Sequence, residues 1–354
     1  MSSSDGSLTI ILDKILSGYV NSGEIVDSTL KGENKETSEI ASQSATVLLK
    51  QLKGIIPEKV EASKGIEKEF EAAVYRTWKK PLDLLDLLLY LSLEIDSEFN
   101  SFNGSDNSSK RYVREALVGQ QANACLVFNE IVHLLKSGFP SGANSHWRTL
   151  HEIACVSYFI SKHGEDMAKR FLDYKIVETN FQAQAICKHQ QKMEGETPLE
   201  KNIKKLTKKV DKLRKLYGSD FVNKANYPYG WIPRTVIRTR SLREIEKSVK
   251  LDMLRHYYDI ASHNVIGGPN GLIFKPGFMK KETPEDFPVG PSNYGLSDPG
   301  KSAAISLGQV MACLLLSEFS FKNMVIIEAL RSLVDDICDA FNEIQSEFGK
   351  NSMC

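Results

Sequence analysis

Apolar residues recur at three- and four-residue spacing through most of this chain, and that period constrains its fold before any other feature. Val113, Leu117, Ala124, Phe128, Ile131 and Leu135 form one such stripe. Val310, Leu314, Met324, Ile327, Leu330, Val334, Ile337, Phe341 and Ile344 form another. A row with that spacing lies along one face of a helix, whereas a half-buried strand needs strict alternation. No alternating run of useful length occurs, so the sequence predicts an all-α, multi-helix bundle. Pro81 ahead of Leu82, Leu84, Leu85, Leu87, Leu88 and Leu89 puts a proline in a first helical turn, where its missing N–H leaves no bond unmade. Further helices are expected over 143–163, 165–190, 198–217 and 241–262. One long helix or two collinear ones are expected over 303–348.

Two stretches depart from this pattern. Residues 1–60 form a polar N-terminal segment, partly helical around 8–16 and 45–52, joined by a Ser/Glu/Lys-rich connector, while 61–354 read as a single helical domain. Residues 264–300 hold six of the twelve prolines and seven glycines, so a long irregular excursion is expected there, with at most a small hairpin. Excursions of that length inside a compact domain usually serve as lids or interaction surfaces. A polar loop is expected over 100–109.

Composition excludes several classes. The 354 residues carry 45 Lys+Arg against 45 Asp+Glu, which is neither a uniformly basic coat nor an acidic disordered chain. The opening residues lack the basic start of a secretion signal, and the apolar windows 82–93 and 303–316 read as buried helices rather than membrane spans. Six cysteines without a CxxC pair point to reduced core thiols in a cytoplasmic protein rather than to disulfides or zinc. The balanced total hides an asymmetry: residues 201–255 contain sixteen Lys/Arg and five Asp/Glu. Within it Lys204, Lys205, Lys208, Lys209, Lys212, Arg214 and Lys215 surround a seam of Ile203, Leu206, Val210, Leu213 and Tyr217. Such a ridge either tracks nucleic-acid phosphates or forms a solvated face that docks on acidic surface. In the Asn-Tyr-Pro-Tyr-Gly-Trp segment that follows, Tyr227, Tyr229 and Trp231 either stack on bases or pin a turn by packing.

Two clusters carry candidate chemistry. Arg255, Asp259 and His263 fall at i, i+4 and i+8, with Leu251, Leu254, Tyr258, Ala261 and Val265 as the core side. His263, at the edge of the glycine-rich excursion, is a candidate acid/base, Arg255 a cation for developing phosphate charge, and Asp259 a group that orients the ring. The bland alternative is a helix-end histidine beside an i,i+4 ion pair. Arg148 and Glu152 form the second cluster, as a buried pair or as a substrate-anchoring arginine held by a carboxylate. Glu130-x-x-His133 fits half of a di-iron pattern, but a second copy is missing, so no metal or other cofactor is expected. The chain has no P-loop, no G-x-S-x-G and no H-E-x-x-H motif.

Arg148-x-x-x-Glu152, followed by Tyr258-x-x-x-Ser262-His263-x-x-x-Gly267, resembles a bacterial family of unknown function over roughly 110–275. The architecture also resembles the HEPN (higher eukaryote and prokaryote nucleotide-binding) helical proteins, many of which are metal-independent ribonucleases of toxin and anti-phage systems. That resemblance implies RNA or a nucleotide as ligand, and cleavage of RNA as the activity. In the superfamily four to six residues separate the arginine from the histidine. Seven separate Arg255 from His263 here, which leaves Arg148 as the other cation available to the site. The alternative is a non-enzymatic interaction protein that binds a partner chain or a second copy of itself; self-association is expected in either case, and a membrane is not.

Overall fold

A computed structural model describes residues 7–21, 35–101, 110–190, 199–273, 290–318 and 320–351. The connector at 22–34, the centre of the polar loop at 102–109 and the middle of the excursion at 274–289 lie outside the described residues. Helices follow in the order α1 Ser7–Asn21, α2 Lys35–Ser101, α3 Arg111–Lys136, α4 Pro140–Gln190 and α5 Leu199–Tyr217. They continue with α6 Leu242–Val249, α7 Arg255–Ser262, α8 Asn270–Ile273, α9 Ser297–Ser317 and α10 Phe321–Asn351. No strand occurs among the described residues, and the fold is all-α.

The chain divides into two compact units, residues 1–73 with 288–290, and residues 74–287 with 291–354. In the first, Ile15 and Ser44 are buried, while Ile10, Val47, Leu49, Ile56, Val60 and Ile66 are exposed. The division falls inside α2, four residues before the non-helical Trp78 (φ −105°, ψ 22°). Pro81 thus sits in the first turn after that break, as its placement in the sequence predicts.

The second unit is built on α3, α4, α9 and α10 with the later part of α2. Trp78, Leu82, Leu85 and Leu88 of α2 are fully buried, as are Phe128 of α3 and Trp147 and Phe159 of α4. The short turn 137–139 folds α4 back from α3. Two positions shape α4. Gly164 adopts φ 74°, ψ −156°, a conformation only glycine takes readily, and bends the helix there. The next residue, Glu165, then reaches the start of α3, where its carboxylate accepts from the free N–H groups of Tyr112 (3.0 Å) and Val113 (2.9 Å). A negative group on orphan donors at a helix N-terminus stabilises both elements.

Three expectations need correction. Residues 241–262 are two helices, because Lys250 turns left-handed (φ 61°) and the Leu251 N–H bonds back to the Glu246 carbonyl at 2.9 Å. In consequence Val265 is exposed instead of lying on the core side. Residues 303–348 are not collinear: α9 and α10 pack antiparallel, with Gly300 against Phe341 and Gly308 against Val334. Helix α9 also begins earlier than its apolar core suggests. At 21 residues it is long and apolar enough to cross a membrane, but 67% of that apolar window is buried against protein.

Cys125, Cys155 and Cys313 are buried free thiols. The aromatic segment is a turn pinned by packing. Trp231 is buried with Phe159 and Phe171 edge-on at 5.7 and 5.2 Å, and its carbonyl accepts from Arg170 Nε at 2.7 Å. Tyr229 is buried, and only Tyr227 faces solvent.

Candidate functional site

Arg148 of the α4 cluster and Tyr258 of α7 meet in space. Arg148 Nη2 donates to the Tyr258 hydroxyl at 3.2 Å, and its guanidinium lies 4.5 Å from the centre of that ring. Arg255 covers the ring as well, at 4.7 Å. One tyrosine is therefore flanked by two cations, and its hydroxyl pKa is raised by burial against the opposing pull of Arg148.

The two arginines differ in what they face. Arg255 Nε donates to Glu246 Oε2 at 2.7 Å, Arg255 Nη2 binds the same oxygen, and Arg255 Nη1 lies 3.5 Å from Asp259. Glu246 is fully buried, and its Oε1 is 3.0 Å from Nε2 of the equally buried His151. Arg255 already matches the carboxylate charge, and Nδ1 of the His151 ring is buried without a hydrogen-bond partner among the described residues. Arg148, by contrast, has no carboxylate within ion-pair distance among the described residues, and its Nε is buried without a hydrogen bond. Its i+4 neighbour Glu152 turns away and accepts from the Tyr229 hydroxyl at 2.5 Å. Burial and the Glu152 carboxylate push the Tyr229 pKa far up.

Local sequence accounts for this convergence. Residues 148, 151 and 155 share one face of α4 at i, i+3 and i+7. Ser241 caps α6 by accepting from the Glu244 N–H at 3.4 Å, which starts the helix so that Leu242, Ile245 and Glu246 all turn inward. The ligand atoms of His151, Cys155 and Glu246 lie within 4.8 Å of one another, close enough to hold a metal ion. Two features oppose a cation there: the guanidinium already on Glu246, and burial, which raises the Cys155 thiol pKa and keeps it protonated. The Glu130/His133 pattern does not converge: Glu130 meets His146 at 3.3 Å, and His133 Nδ1 bonds the Asn129 carbonyl at 2.8 Å.

His263 follows α7 as its C-terminal cap, half-buried, with its backbone N–H on the Ile260 carbonyl at 3.1 Å. Gly271 of α8 packs so closely on the His263 carbonyl that a β-carbon there would lie 2.5 Å away. Helix α5 rests on α4 through Val210 and Leu213, with the Tyr217 hydroxyl donating to Asp173 at 2.6 Å. Its Lys204, Lys205, Lys208, Lys209, Lys212 and Lys215 are all exposed, and none has an ion pair among the described residues. Arg214 pairs with Asp211 at 2.8 Å.

A cavity of about 510 Å³ opens beside Glu152, between the two halves of α4 and the 228–231 turn. Of this neighbourhood, the sequence identifies Arg148, Glu152, Arg255 and Asp259 but passes over His151, Glu246 and Glu178. The i, i+3, i+7 spacing of Arg148, His151 and Cys155 is the one signal that marks His151.

Residues 114–275, from α3 into the excursion beyond α8, match the model of a family described as a family of unknown function (DUF5677). The match contains every residue of the network just described, and its extent agrees with the resemblance placed at 110–275. No curated protein and no solved structure matches the chain.

Proposed function

We propose that the DUF5677 segment, residues 114–275, is an RNA-binding helical module of HEPN-like character. The observation that carries this reading is the outer face of α5. It bears six exposed lysines within twelve residues, Lys204 to Lys215, and none has an anionic partner among the described residues. A helix of that length spans roughly 17 Å, enough to follow several phosphates of a single strand. Among the described residues no acidic group neutralises these lysines, so binding RNA would release the counterions they hold and make affinity fall steeply with salt. Arg148, half-buried and without a carboxylate partner among the described residues, is the cation available to grip one phosphate near the Tyr258 hydroxyl. Arg255 is already committed to Glu246.

Fluorescence anisotropy with a labelled single-stranded RNA, repeated across salt concentrations, tests the reading. Replacing Lys204, Lys208 and Lys212 by Gln is expected to weaken binding and reduce the slope of log affinity against log salt by about 2. No binding by the native protein, or an unchanged slope in the variant, rejects it. Cleavage is a separate step within this proposal, with His263 as the proton-transferring group. Incubation in EDTA beside a His263→Ala variant separates a ribonuclease, active without metal and silenced by the substitution, from a binding module, inactive in both forms.

The exposed apolar residues of the first unit favour a second, non-enzymatic reading. Val47, Leu49, Ile56, Val60 and Ile66 on the early part of α2 make this chain a candidate for self-association. Light scattering at increasing concentration, with Leu49→Ser and Ile56→Ser as comparison, tests it.

A further inference from the structure

We propose that the cavity at the bend of α4 is a binding site for an organic amine, held between the carboxylates of Glu152 and Glu178 against an aromatic wall. This inference is independent of the RNA reading, since it uses neither the α5 lysines nor Arg148.

The wall is rigid and its composition is specific. Trp231 is fixed by the edges of Phe159 and Phe171 and by the Arg170 bond to its carbonyl. Tyr229 is fixed by its bond to Glu152. Gly230 between them packs on Tyr174, whose hydroxyl oxygen would be 2.6 Å from a β-carbon at that position. The turn therefore has no room to shift inward, and the cavity is preformed. Its volume, about 510 Å³, falls within the usual range of small-molecule sites.

The polar lining includes the neutral Gln120, Asn123 and Thr149, and its two carboxylates call for a cation. Glu178 is half-buried, accepts no hydrogen bond and meets no basic side chain within ion-pair distance among the described residues. Burial alone raises its carboxyl pKa. Among the described residues Glu152 accepts a single hydrogen bond, from Tyr229. A half-buried carboxylate without a partner carries a desolvation cost that a charged N–H donor would offset. Faces of Trp and Tyr add attraction for the same ion. Lys175 is the one basic residue in the lining, and it is exposed to solvent. Two carboxylates against that outlying lysine disfavour an anionic ligand, including a nucleotide phosphate. They suit a small aliphatic amine or diamine.

Titration calorimetry of the full chain at pH 7 tests this, with putrescine as the amine, butyrate as a size-matched anion and guanosine as a neutral aromatic base. Putrescine is expected to bind one to one, and butyrate and guanosine not at all. Glu178→Gln should weaken putrescine by about tenfold or more, the usual size of a lost charge-assisted bond. Glu152→Gln, which keeps an acceptor for Tyr229, should weaken it as well. Lys175→Ala should leave binding intact or strengthen it.

A melting-temperature measurement guards against misfolding. The Glu178 carboxyl pKa is higher in the fold than in the unfolded chain. Its ionisation therefore subtracts stability as pH rises through the unfolded and then the folded value. Ligand-free Glu178→Gln should then melt at or above the native temperature at pH 7, while putrescine raises the melting temperature of the native protein only. Absence of putrescine binding at millimolar concentration, equal affinity of Glu178→Gln and native protein, or preference for guanosine would each overturn the proposal.

Discussion

Glu246 lies fully buried with both oxygens occupied, one by His151 and one by Arg255. Such a group is expensive to disturb. Replacing it with Gln keeps the shape but leaves the Arg255 charge only the exposed Asp259, 3.5 Å away, as counter-ion, and the loss expected for breaking a buried pair is about 3–5 kcal/mol. Urea denaturation of Glu246→Gln checks this; a loss below about 1 kcal/mol would mean that Asp259 and water suffice for Arg255. The sequence made half of this arrangement legible. Arg148, Glu152, Arg255 and Asp259 stand out because opposite charges recur at i+4, a spacing local to one helix. Glu246 does not stand out, because its partners come from α4 and α7. Nor can local spacing reveal that Glu152 would leave Arg148 for a tyrosine 77 positions later.

At the scale of helices, α9 and α10 show what period carries and what it omits. A three–four stripe continues across 303–348, and from the stripe alone one rod and a folded pair look the same. The chain folds back because Asn323 Nδ2 donates to the Leu315 and Glu318 carbonyls, at 3.1 and 2.6 Å, which satisfies the last turn of α9 and closes the corner. Close approach then depends on glycine. A β-carbon at Gly300 would lie 2.3 Å from Phe341 Cζ, and that ring is buried and cannot yield cheaply. Gly300→Ala should therefore cost about 1–3 kcal/mol, the range for overpacking a filled core. Adding Phe341→Leu to the same chain should recover part of it, as measured by thermal unfolding. An additive second loss would place the strain elsewhere. The split of 241–262 into α6 and α7 has the same origin: Lys250 adopts a left-handed conformation that its residue type does not advertise.

Across the whole molecule, stability is unevenly distributed. Among the described residues of the first unit only Ile15 and Ser44 are buried, whereas the second holds a continuous core around Trp78, Phe128, Trp147 and Phe159. Helix held mainly by its own backbone bonds opens readily. Hydrogen–deuterium exchange should therefore label 35–73 well before α3, α4 and α9; equal protection would mean that the first unit is held by self-association. Composition foreshadows this contrast in the polar opening of the chain, though not the position of the division. One residue has a reach out of proportion to its size. Were α4 straight, Val156 and Phe171, now walls of one cavity, would stand about 22 Å apart along its axis, and the outer lining residues further still. Gly164 is thus an elbow that turns one rod into two facing jaws. An amine lodged between Glu152 and Glu178 would be a strut across that elbow, and the protein's grip on its ligand and the angle of its longest core helix would become a single mechanical quantity.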